Sequence, residues 1–453
     1  MTIARELAEF LTKTSLGDVP AQAVEHAAML IASTIASAAM GSRLESSAII
    51  GSLARERGGK PEASIWFDPG PRLPVADAAQ VNAFMSDAAA SDDSDLRNIV
   101  HAGTTLVTTA FAIAERTNAR GGDILTAIVL GYEAAGRIGE AITPRFSHPR
   151  VSWLPRRDLW RRSRFWSAVR AGGGSLGPDD RSVGNLDRRA NGSSQYERGS
   201  RVSRRAGSNA RHSGCTRGAA GVQGRRRNSR NPTRFLWVYG GENGSAAGAS
   251  VTRELGQSWD IVTDMAIKLA PGGHPYHALA EAAADAALKA DIVPAAVESI
   301  TVSRPGFTAL TGPLHLTDLI GMAHSPAYFL AAAVADREFS WIHAAAEKIT
   351  DPVIHQLIDK VRVGAPPADN VGRYRQGATV TIRTTDGRTS TSTVFEPKGA
   401  AARGIAWVDV DTKYRTLVPQ ARLSERQIEA SLAIIHDFSE VRHVSTLIDL
   451  LRV

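Results

Sequence analysis

Small and apolar residues recur at helical spacing through the first third of the chain, in runs that end at glycines or polar turns. This periodicity is typical of helices that bury one face or more against their neighbours. It predicts helices over 21–40, 46–57, 77–90, 104–117 and 123–142, with Asp123 as the N-cap of the last. A short strand or an extended piece is expected at 63–67. We therefore predict a helical bundle with short loops up to residue 142.

From residue 236 onward the pattern mixes two periods. Residues 297–303 alternate as in a strand, and 378–383 and 389–395 flank the turn Thr385-Asp386-Gly387, which predicts a β-hairpin. Helical spacing predicts further helices, which are 275–290, 327–335, 351–361, 424–435 and 441–451. A helical part is thus followed by an α+β part, and we expect the closing helices to return to the helical part.

One polar stretch interrupts the apolar runs, at residues 91–103 (SDDSDLRNIVHAG). It contains Asp92, Asp93 and Asp95, followed by His101. One interpretation is a solvated acidic loop with a histidine at a helix start. The other is an active-site wall, because a polar segment between two buried helices can carry acid–base groups.

A second polar cluster occupies residues 268–277 (KLAPGGHPYH), just before an Ala-rich helix. Lys268, a Pro-Gly-Gly turn, His274 and His277 form it. These residues form either a loop with capping histidines or a cationic pocket for a carboxylate. Histidine exchanges protons near neutral pH, and lysine neutralises a carboxylate or a developing enolate.

Composition narrows the class of protein. Among the 453 residues Cys215 is the single cysteine, which excludes an intrachain disulfide framework and a cysteine zinc cluster. The N-terminus lacks the features of an export signal, and no uninterrupted run of about 18 apolar residues occurs, so we expect a cytoplasmic protein without a membrane span. Nucleotide-binding, zinc-protease and serine-hydrolase motifs are absent from any usable context.

The charge is unevenly distributed. Residues 150–234 contain 21 Arg, no Lys and five acids, a net +16 that leaves −9 on the rest of a chain whose total is +7. Arg together with Trp153, Trp160 and Trp166 suits phosphate contacts and base stacking, so one alternative is a nucleic-acid-binding protein that uses this segment.

Several motifs in order resemble the MmgE/PrpD family, which contains 2-methylcitrate dehydratase, cis-aconitate decarboxylase and iminodisuccinate epimerase. The N-terminal motifs are the Ala-rich helices, Asp92-Asp93 with His101, and residues 112–138. The later motifs are 235–241, the Lys268…Pro271…His277 spacing, 324–336, and the turn Pro397-Lys398-Gly399. Together they cover most of residues 1–145 and 235–453.

The resemblance implies a mainly α fold: an all-helical domain from residues 1–264 and 401–453, and a smaller α+β lid domain from 265–400. It also implies a cleft between the domains, a homodimer, and no metal or organic cofactor. The expected activity is that of a lyase on a small di- or tricarboxylate, most similar to 2-methylcitrate dehydration. An epimerase or decarboxylase acting on a related acid is the alternative.

The resemblance also assigns roles to residues. Asp93 and His101 would be catalytic on the helical wall, and Lys268 would face them from the lid and bind a substrate carboxylate. Asp92, His274 and His277 would contribute to substrate binding, although a structural role suits His277 better. One departure stands out: the first acid of the family's H-x-x-D-x-D-D pattern is Ala90 here.

Residues 150–234 lack the two histidine motifs that the family resemblance leads us to expect, and a shifted reading frame accounts for this. Arg150-Val-Ser-Trp153-Leu154 can be encoded by cgg-gtt-tca-tgg-ctt, and moving one base in these codons gives the missing G-F-H-G. The same shift yields A-F-H-A-G from 191–207 and a smooth join to Phe235. We therefore expect the segment to be disordered or misfolded, and the chain as encoded to have little activity or none.

Overall fold

The computed structural model describes residues 2–98, 100–143, 236 and 247–452. The Arg-rich segment 150–234, with the reading-frame and nucleic-acid hypotheses that rest on it, lies outside the described residues. The predicted mainly α fold is confirmed, because helices dominate the described chain and the strands form two small sheets.

Five N-terminal helices follow the predicted order, with bounds that differ by a few residues, and a further helix at Ile3–Lys13 was not predicted. They are α1 Ile3–Lys13, α2 Ala21–Gly41, α3 Glu45–Arg57, α4 Val75–Ala88, α5 Ala102–Thr117 and α6 Gly121–Ile142. The middle of the chain adds shorter ones, α7 Asp260–Thr263, α8 His277–Lys289, α9 Leu319–Ala323, α10 Pro326–Asp336, α11 Ala346–Ile349 and α12 Pro352–Ile358. The last helices are α13 Trp407–Leu417, α14 Glu425–His436 and α15 Ser445–Leu450.

The strands form a two-stranded and a four-stranded sheet. They are β1 Asp93–Asp95, β2 Met265–Ile267, β3 Val297–Ser303, β4 Val361–Val363, β5 Ala378–Thr384 and β6 Thr389–Val394. The larger sheet has the order β4-β3-β5-β6, in which only the β3–β4 pair is parallel. β1 pairs antiparallel with β2.

The larger hydrophobic core draws on both ends of the chain. Helices α2 and α4–α6 supply one part, and α13–α15 supply another. Its largest fully buried aromatic side chains are Trp66, Phe111, Tyr132, Tyr414 and Phe438. Helices distant in sequence therefore share one core, although the domain boundaries at 264 and 400 stay a prediction.

A second core lies between the four-stranded sheet and two helices. The Ala-rich helix α8 and helix α10 bury their alanines together with Phe329 and Tyr328, against Ile300, Val380 and Ile382 of the sheet. Alanine lets these helices approach the sheet closely, because its side chain adds little beyond the backbone.

The chain passes between the two cores at two neighbouring points, near β2 and near Ala400. Ala266 bridges to Ala400, and the backbone N–H of Ile267 donates to the Gly399 carbonyl at 2.9 Å. Both crossings thus lie side by side next to strand β1.

Three local expectations were wrong. Asp123 is not the N-cap of α6, because the helix begins at Gly121; Asp123 instead accepts from the backbone N–H of Arg120 at 3.3 Å. Helix α12 stops at Ile358 because the next residues join the sheet as β4. Residues 63–67 form no strand, only an isolated bridge between Ala63 and Leu73.

Helix α2 (Ala21–Gly41) is long and apolar enough to cross a membrane, which corrects the expectation that no segment passes this test. However, 83% of its most apolar window is buried inside the protein. Packing against α4, α5 and α13 accounts for this apolar character, as in the central helix of a protein core.

Candidate active site

The pairing of β1 with β2 brings the two polar clusters together. In the register Asp93 lies opposite Ile267, so the next pair outward is Asp92 and Lys268. The Lys268 N–H donates to the Asp92 carbonyl at 3.3 Å, and Lys268 Nζ donates to Asp92 Oδ1 at 2.6 Å. Residues 176 positions apart therefore form a buried ion pair.

Asp92 is the centre of this cluster. Its Oδ1 accepts from Lys268, and its Oδ2 accepts from Thr104 Oγ1 at 3.2 Å and lies 3.1 Å from His101 Nδ1. Burial alone would raise the pKa of Asp92, but the nearby charges of His101, Lys268 and Lys413 outweigh it and hold this pKa below its ordinary value. Asp92 is therefore a carboxylate at neutral pH.

His101 lies at the start of helix α5. Its side chain is 21% exposed and is more accessible than those of Asp92 and Lys268. Its Nδ1 contacts two acceptors, the Asp93 carbonyl at 2.6 Å and Asp92 Oδ2. Two acceptors require a donor between them, so Nδ1 carries the proton in the neutral ring. Nε2 is then the ring nitrogen left for proton exchange.

Asp93 points the other way, into the start of helix α5. Its carboxylate accepts from the backbone N–H groups of Gly103 at 3.0 Å and Thr104 at 3.3 Å, and from the Tyr132 hydroxyl at 3.2 Å. Burial, followed by the neighbouring charge of Asp92, raises the pKa of Asp93. The geometry thus makes Asp93 a group that caps the start of helix α5. Its catalytic role stays a prediction.

Ala90, at the position of the missing family acid, forms part of the wall through its backbone. It adopts a left-handed conformation with φ 52°, and its carbonyl accepts from the Gly272 N–H at 2.8 Å. Asp87, three residues earlier, was not singled out from the sequence. It lies on helix α4 with a carboxylate oxygen within 4.8 Å of ligand atoms of Asp92 and His101.

The trio Asp87, Asp92 and His101 has donor atoms of the kind that bind divalent cations. Lys268, however, already neutralises Asp92 at 2.6 Å. A cation would have to displace this ammonium or share the carboxylate with it. The arrangement therefore suits proton transfer and anion binding better than metal binding.

Lys413 is a buried lysine that the sequence did not point to. It lies on α13 and donates to the Ser91 carbonyl at 2.5 Å and to Ser33 Oγ at 2.8 Å. Burial lowers its pKa to about 7, although the charge of Asp92 opposes this. Lys413 thus fixes the backbone immediately before Asp92.

His274 and His277 both belong to the polar cluster that contains Lys268, but they differ in their contacts. His277 Nε2 contacts the Pro271 carbonyl at 3.3 Å, and its ring packs on Phe329 at 5.9 Å, so it braces the turn. His274 Nδ1 contacts Gln376 Oε1 at 3.2 Å, and burial lowers the pKa of His274 to about 3. Both rings are therefore neutral.

The cluster can do two things chemically. His101, oriented by a carboxylate, can exchange a proton through Nε2, as an imidazole does when an acid fixes its tautomer. Lys268 offers an ammonium for a carboxylate or an enolate oxygen, at a buried place where such charge stabilisation is strong.

Comparison with known proteins finds two domains of one family in this chain. Residues 5–155 match the MmgE/PrpD N-terminal domain, and residues 271–437 match the MmgE/PrpD C-terminal domain. No curated protein sequence matches the chain. The two domain matches cover well over half of the residues. Asp92 and His101 lie within the first match, and Lys268 lies just before the second. The chain therefore belongs to the MmgE/PrpD family, which comprises dehydratases and related enzymes.

Proposed function

We propose that the protein is a lyase that removes water from a small hydroxylated di- or tricarboxylate, in the manner of 2-methylcitrate dehydratase. The observation that carries this proposal is the double contact of Asp92, which binds Lys268 through Oδ1 and His101 through Oδ2. A base and a carboxylate-binding cation are thereby joined to the same buried carboxylate.

In the proposed reaction, His101 Nε2 takes the proton from the carbon next to a substrate carboxylate. Lys268 stabilises the negative charge that develops on that carboxylate. The electron pair of the broken C–H bond forms the double bond as the C–O bond breaks. The proton held by His101 then neutralises the departing hydroxide, so that water is the second product.

The same carbanion supports the alternatives within the family. Reprotonation on the opposite face would give an epimerase, and formation of the carbanion by loss of carbon dioxide would give a decarboxylase. All three need the same cation. Dehydration and epimerisation also need His101 as a base, whereas in decarboxylation a proton on His101 would be donated to the carbanion left by the loss of carbon dioxide. The leaving group of the true substrate therefore decides between them.

The test uses protein expressed from a frame-restored gene, because the chain as encoded is expected to have little activity. This protein is assayed with 2-methylcitrate, cis-aconitate and citrate, and His101→Asn and Lys268→Met are compared with it in the same background. We expect each substitution to lower kcat/KM by about 10²-fold or more, because loss of an acid–base group typically costs this much. His443→Asn is a matched control, since His443 is exposed and contacts Asn118 far from the cluster. Equal activity of wild type and His101→Asn would refute the proposed role of His101.

The remaining expectations belong to this proposal. We propose that the enzyme works as a homodimer in the cytoplasm, on a small carboxylate substrate, without a metal or an organic cofactor, a membrane or nucleic acid. Activity that survives dialysis against a chelator, and a particle twice the 48.2 kDa chain mass in light scattering, would support it.

A further inference from the structure

Gln376 connects the lid to the wall that carries Asp92. Its Nε2 donates to the Leu96 carbonyl at 3.2 Å, next to strand β1, and its Oε1 contacts His274 Nδ1 at 3.2 Å. One side-chain amide thus joins the second polar cluster to the first.

This contact determines which nitrogen of His274 carries the proton. The Leu96 carbonyl can only accept, so the NH2 end of the amide must face it and Oε1 must face His274. An oxygen acceptor requires a donor, so Nδ1 is the protonated nitrogen. Because the pKa of His274 is lowered to about 3, chiefly by burial, the ring carries one proton and Nε2 has a lone pair.

His274 Nε2 is buried and has no hydrogen-bond partner within the described part of the chain. A buried acceptor without a donor is unfavourable, so this atom suits a ligand that donates a hydrogen bond. Lys268 and Arg304 are cationic neighbours of His274, and their positive charges further lower its pKa. They disfavour a cationic donor and leave a neutral hydroxyl as the matching group.

The backbone at Gln376 is held in an uncommon conformation. Its φ is 59°, in the left-handed region that residues other than glycine rarely occupy. The preceding Arg375 anchors the loop, since it pairs with Asp264 and lies 3.7 Å from Glu396. Surrounding contacts thus maintain a strained position that aims the amide at both partners, as is common at functional sites.

We propose that Gln376 is a positioning residue that fixes His274 as the Nδ1–H tautomer, so that Nε2 accepts a hydrogen bond from a substrate hydroxyl and selects hydroxycarboxylates. This inference rests on the proposed function, because it assigns the substrate hydroxyl a place in the same site. Gln376 acts through His274 and does not itself contact the substrate.

The tautomer is tested by nitrogen NMR of the full chain labelled with 15N-histidine, with the His274 signals assigned from His274→Asn. Wild type should show a protonated Nδ1 and an unprotonated Nε2. Gln376→Leu removes the acceptor and should shift the ring toward the Nε2–H form. Gln376→Glu is the matched control, because a carboxylate also accepts from Nδ1–H and should retain the wild-type tautomer.

The selectivity is tested by calorimetric binding of citrate and of propane-1,2,3-tricarboxylate, which differ by one hydroxyl. Wild type should bind citrate about tenfold more tightly, as expected for one hydrogen bond to a buried acceptor. Gln376→Leu should lose most of this preference, and Gln376→Glu should keep it.

The outcomes separate the two proposals. A wild-type His274 protonated at Nε2, or a tautomer unchanged in Gln376→Leu, would overturn the positioning role. Equal binding of the two acids by wild type would overturn hydroxyl selection and leave the proposed lyase standing. Failure of wild type to bind either acid would count against both hydroxyl selection and the proposed function, while the NMR result would still decide the positioning role.

Discussion

Asp92 is a buried carboxylate among basic side chains from three distant parts of the chain. Lys268 comes from the lid side, His101 from the start of α5 and Lys413 from α13. Asp92 and Lys413 are each only 1% exposed, and Lys268 is 2% exposed. Each charge is acceptable in the interior because the opposite charge is next to it. Removing one member therefore affects the others.

Replacing Asp92 with Asn should destabilise the protein by about 3–5 kcal/mol, because it leaves buried lysines without their counter-charge. The measurement is chemical unfolding followed by circular dichroism. Glu298→Gln is the control: its partner Arg383 is exposed, so the change should stay within about 0.5 kcal/mol. Equal effects of the two substitutions would contradict the buried charge balance.

The sequence predicted the polar residues of the site but not their partners. Asp92 and Asp93 are adjacent and chemically identical, and only the pleat of β1 sends one toward Lys268 and the other into the start of α5. Lys413 lies 322 residues from Ser91, and no local pattern links them. Such pairings depend on register and packing, which one sequence does not reveal.

At the scale of elements, β1, α6 and α7 meet at a group of buried acids. Burial is the main cause that raises the pKa of Asp95 to about 7 and that of Asp260 to about 8, helped by the charges of neighbouring carboxylates. Arg97 contacts Asp260 and Asp264 here, and it opposes these shifts without removing them. Native Asp95 and Asp260 therefore hold protons near neutral pH.

The contribution of Asp95 and Asp260 to stability should fall as pH rises from about 5 to about 7, because unfolded Asp titrates near 3.8 and has lost its proton, whereas the native carboxyls retain theirs. Buried His274, whose pKa is lowered from 6.5 to about 3, contributes a slope of the opposite sign below pH 6.5. Each carboxyl contributes up to about 1.4 kcal/mol per pH unit to this decline. Asp95→Asn and Asp260→Asn should each reduce the slope, measured as the unfolding free energy at several pH values.

Asp386→Asn serves as the control for this slope. Asp386 is exposed, and the Thr384 hydroxyl lowers its pKa to about 2, so it is ionised throughout the window. Its removal should leave the slope unchanged. A slope in Asp95→Asn and Asp260→Asn as steep as in wild type would show that these carboxyls do not hold protons in the native state.

Helix α6 approaches the same acids through Gly136. A Cβ at this position would overlap Asp260 Oδ2 and lie 2.9 Å from Asp95 Oδ2. Gly136→Ala should therefore lower the free energy of unfolding by about 1–3 kcal/mol, as overpacking does. Gly51→Ala in α3 is the control. Its Cβ would meet only Arg55 Nη1 at 3.5 Å, so a gain of about 0.5–1 kcal/mol is expected in thermal melts.

Elements with a clearly repeated period were predicted closely, whereas helices α1 and α13, of 11 residues each, were not predicted. The sequence predicted α2 and the β5–β6 hairpin closely, because each has a period repeated several times. Strands β1 and β2 have three residues each, too few for any period, and they exist because they pair with each other. The site depends on this pair, so the pattern of residues alone left the two polar clusters separate, and only the family resemblance set Lys268 opposite Asp93 and His101.

For the whole molecule, the activity of the chain as encoded depends on the segment between the two family matches. The matches leave residues 156–270 uncovered, and the Arg-rich stretch begins near the end of the first. Residues that flank the stretch pack together, since Ala141 and Ile142 share a small core with Leu236 and Val251. This supports the proposal of a shifted frame confined between a normal start and a normal end.

Resequencing the gene across codons 145–240 should reveal one inserted or deleted base near each end of the Arg-rich segment, the second restoring the frame that the first shifts. A frame-restored protein should then have much higher lyase activity than the chain as encoded. Tryptic peptides from residues 150–234 in native protein, with an intact single frame, would disprove the proposal. Full activity of the encoded chain would disprove the expected loss.

The two side-by-side chain crossings give the molecule a pivot. Rotation of one core against the other moves atoms in proportion to their distance from the axis. Lys268 directly follows the first crossing at β2, so it would shift little, and its bond to Asp92 would persist through such a motion. Gln376 is also held near these crossings, because the preceding Arg375 pairs with Asp264 directly before β2 and Gln376 itself contacts Leu96 directly after β1. The contacts that join the two polar clusters would therefore shift little together, and the site would keep its geometry through such a rotation.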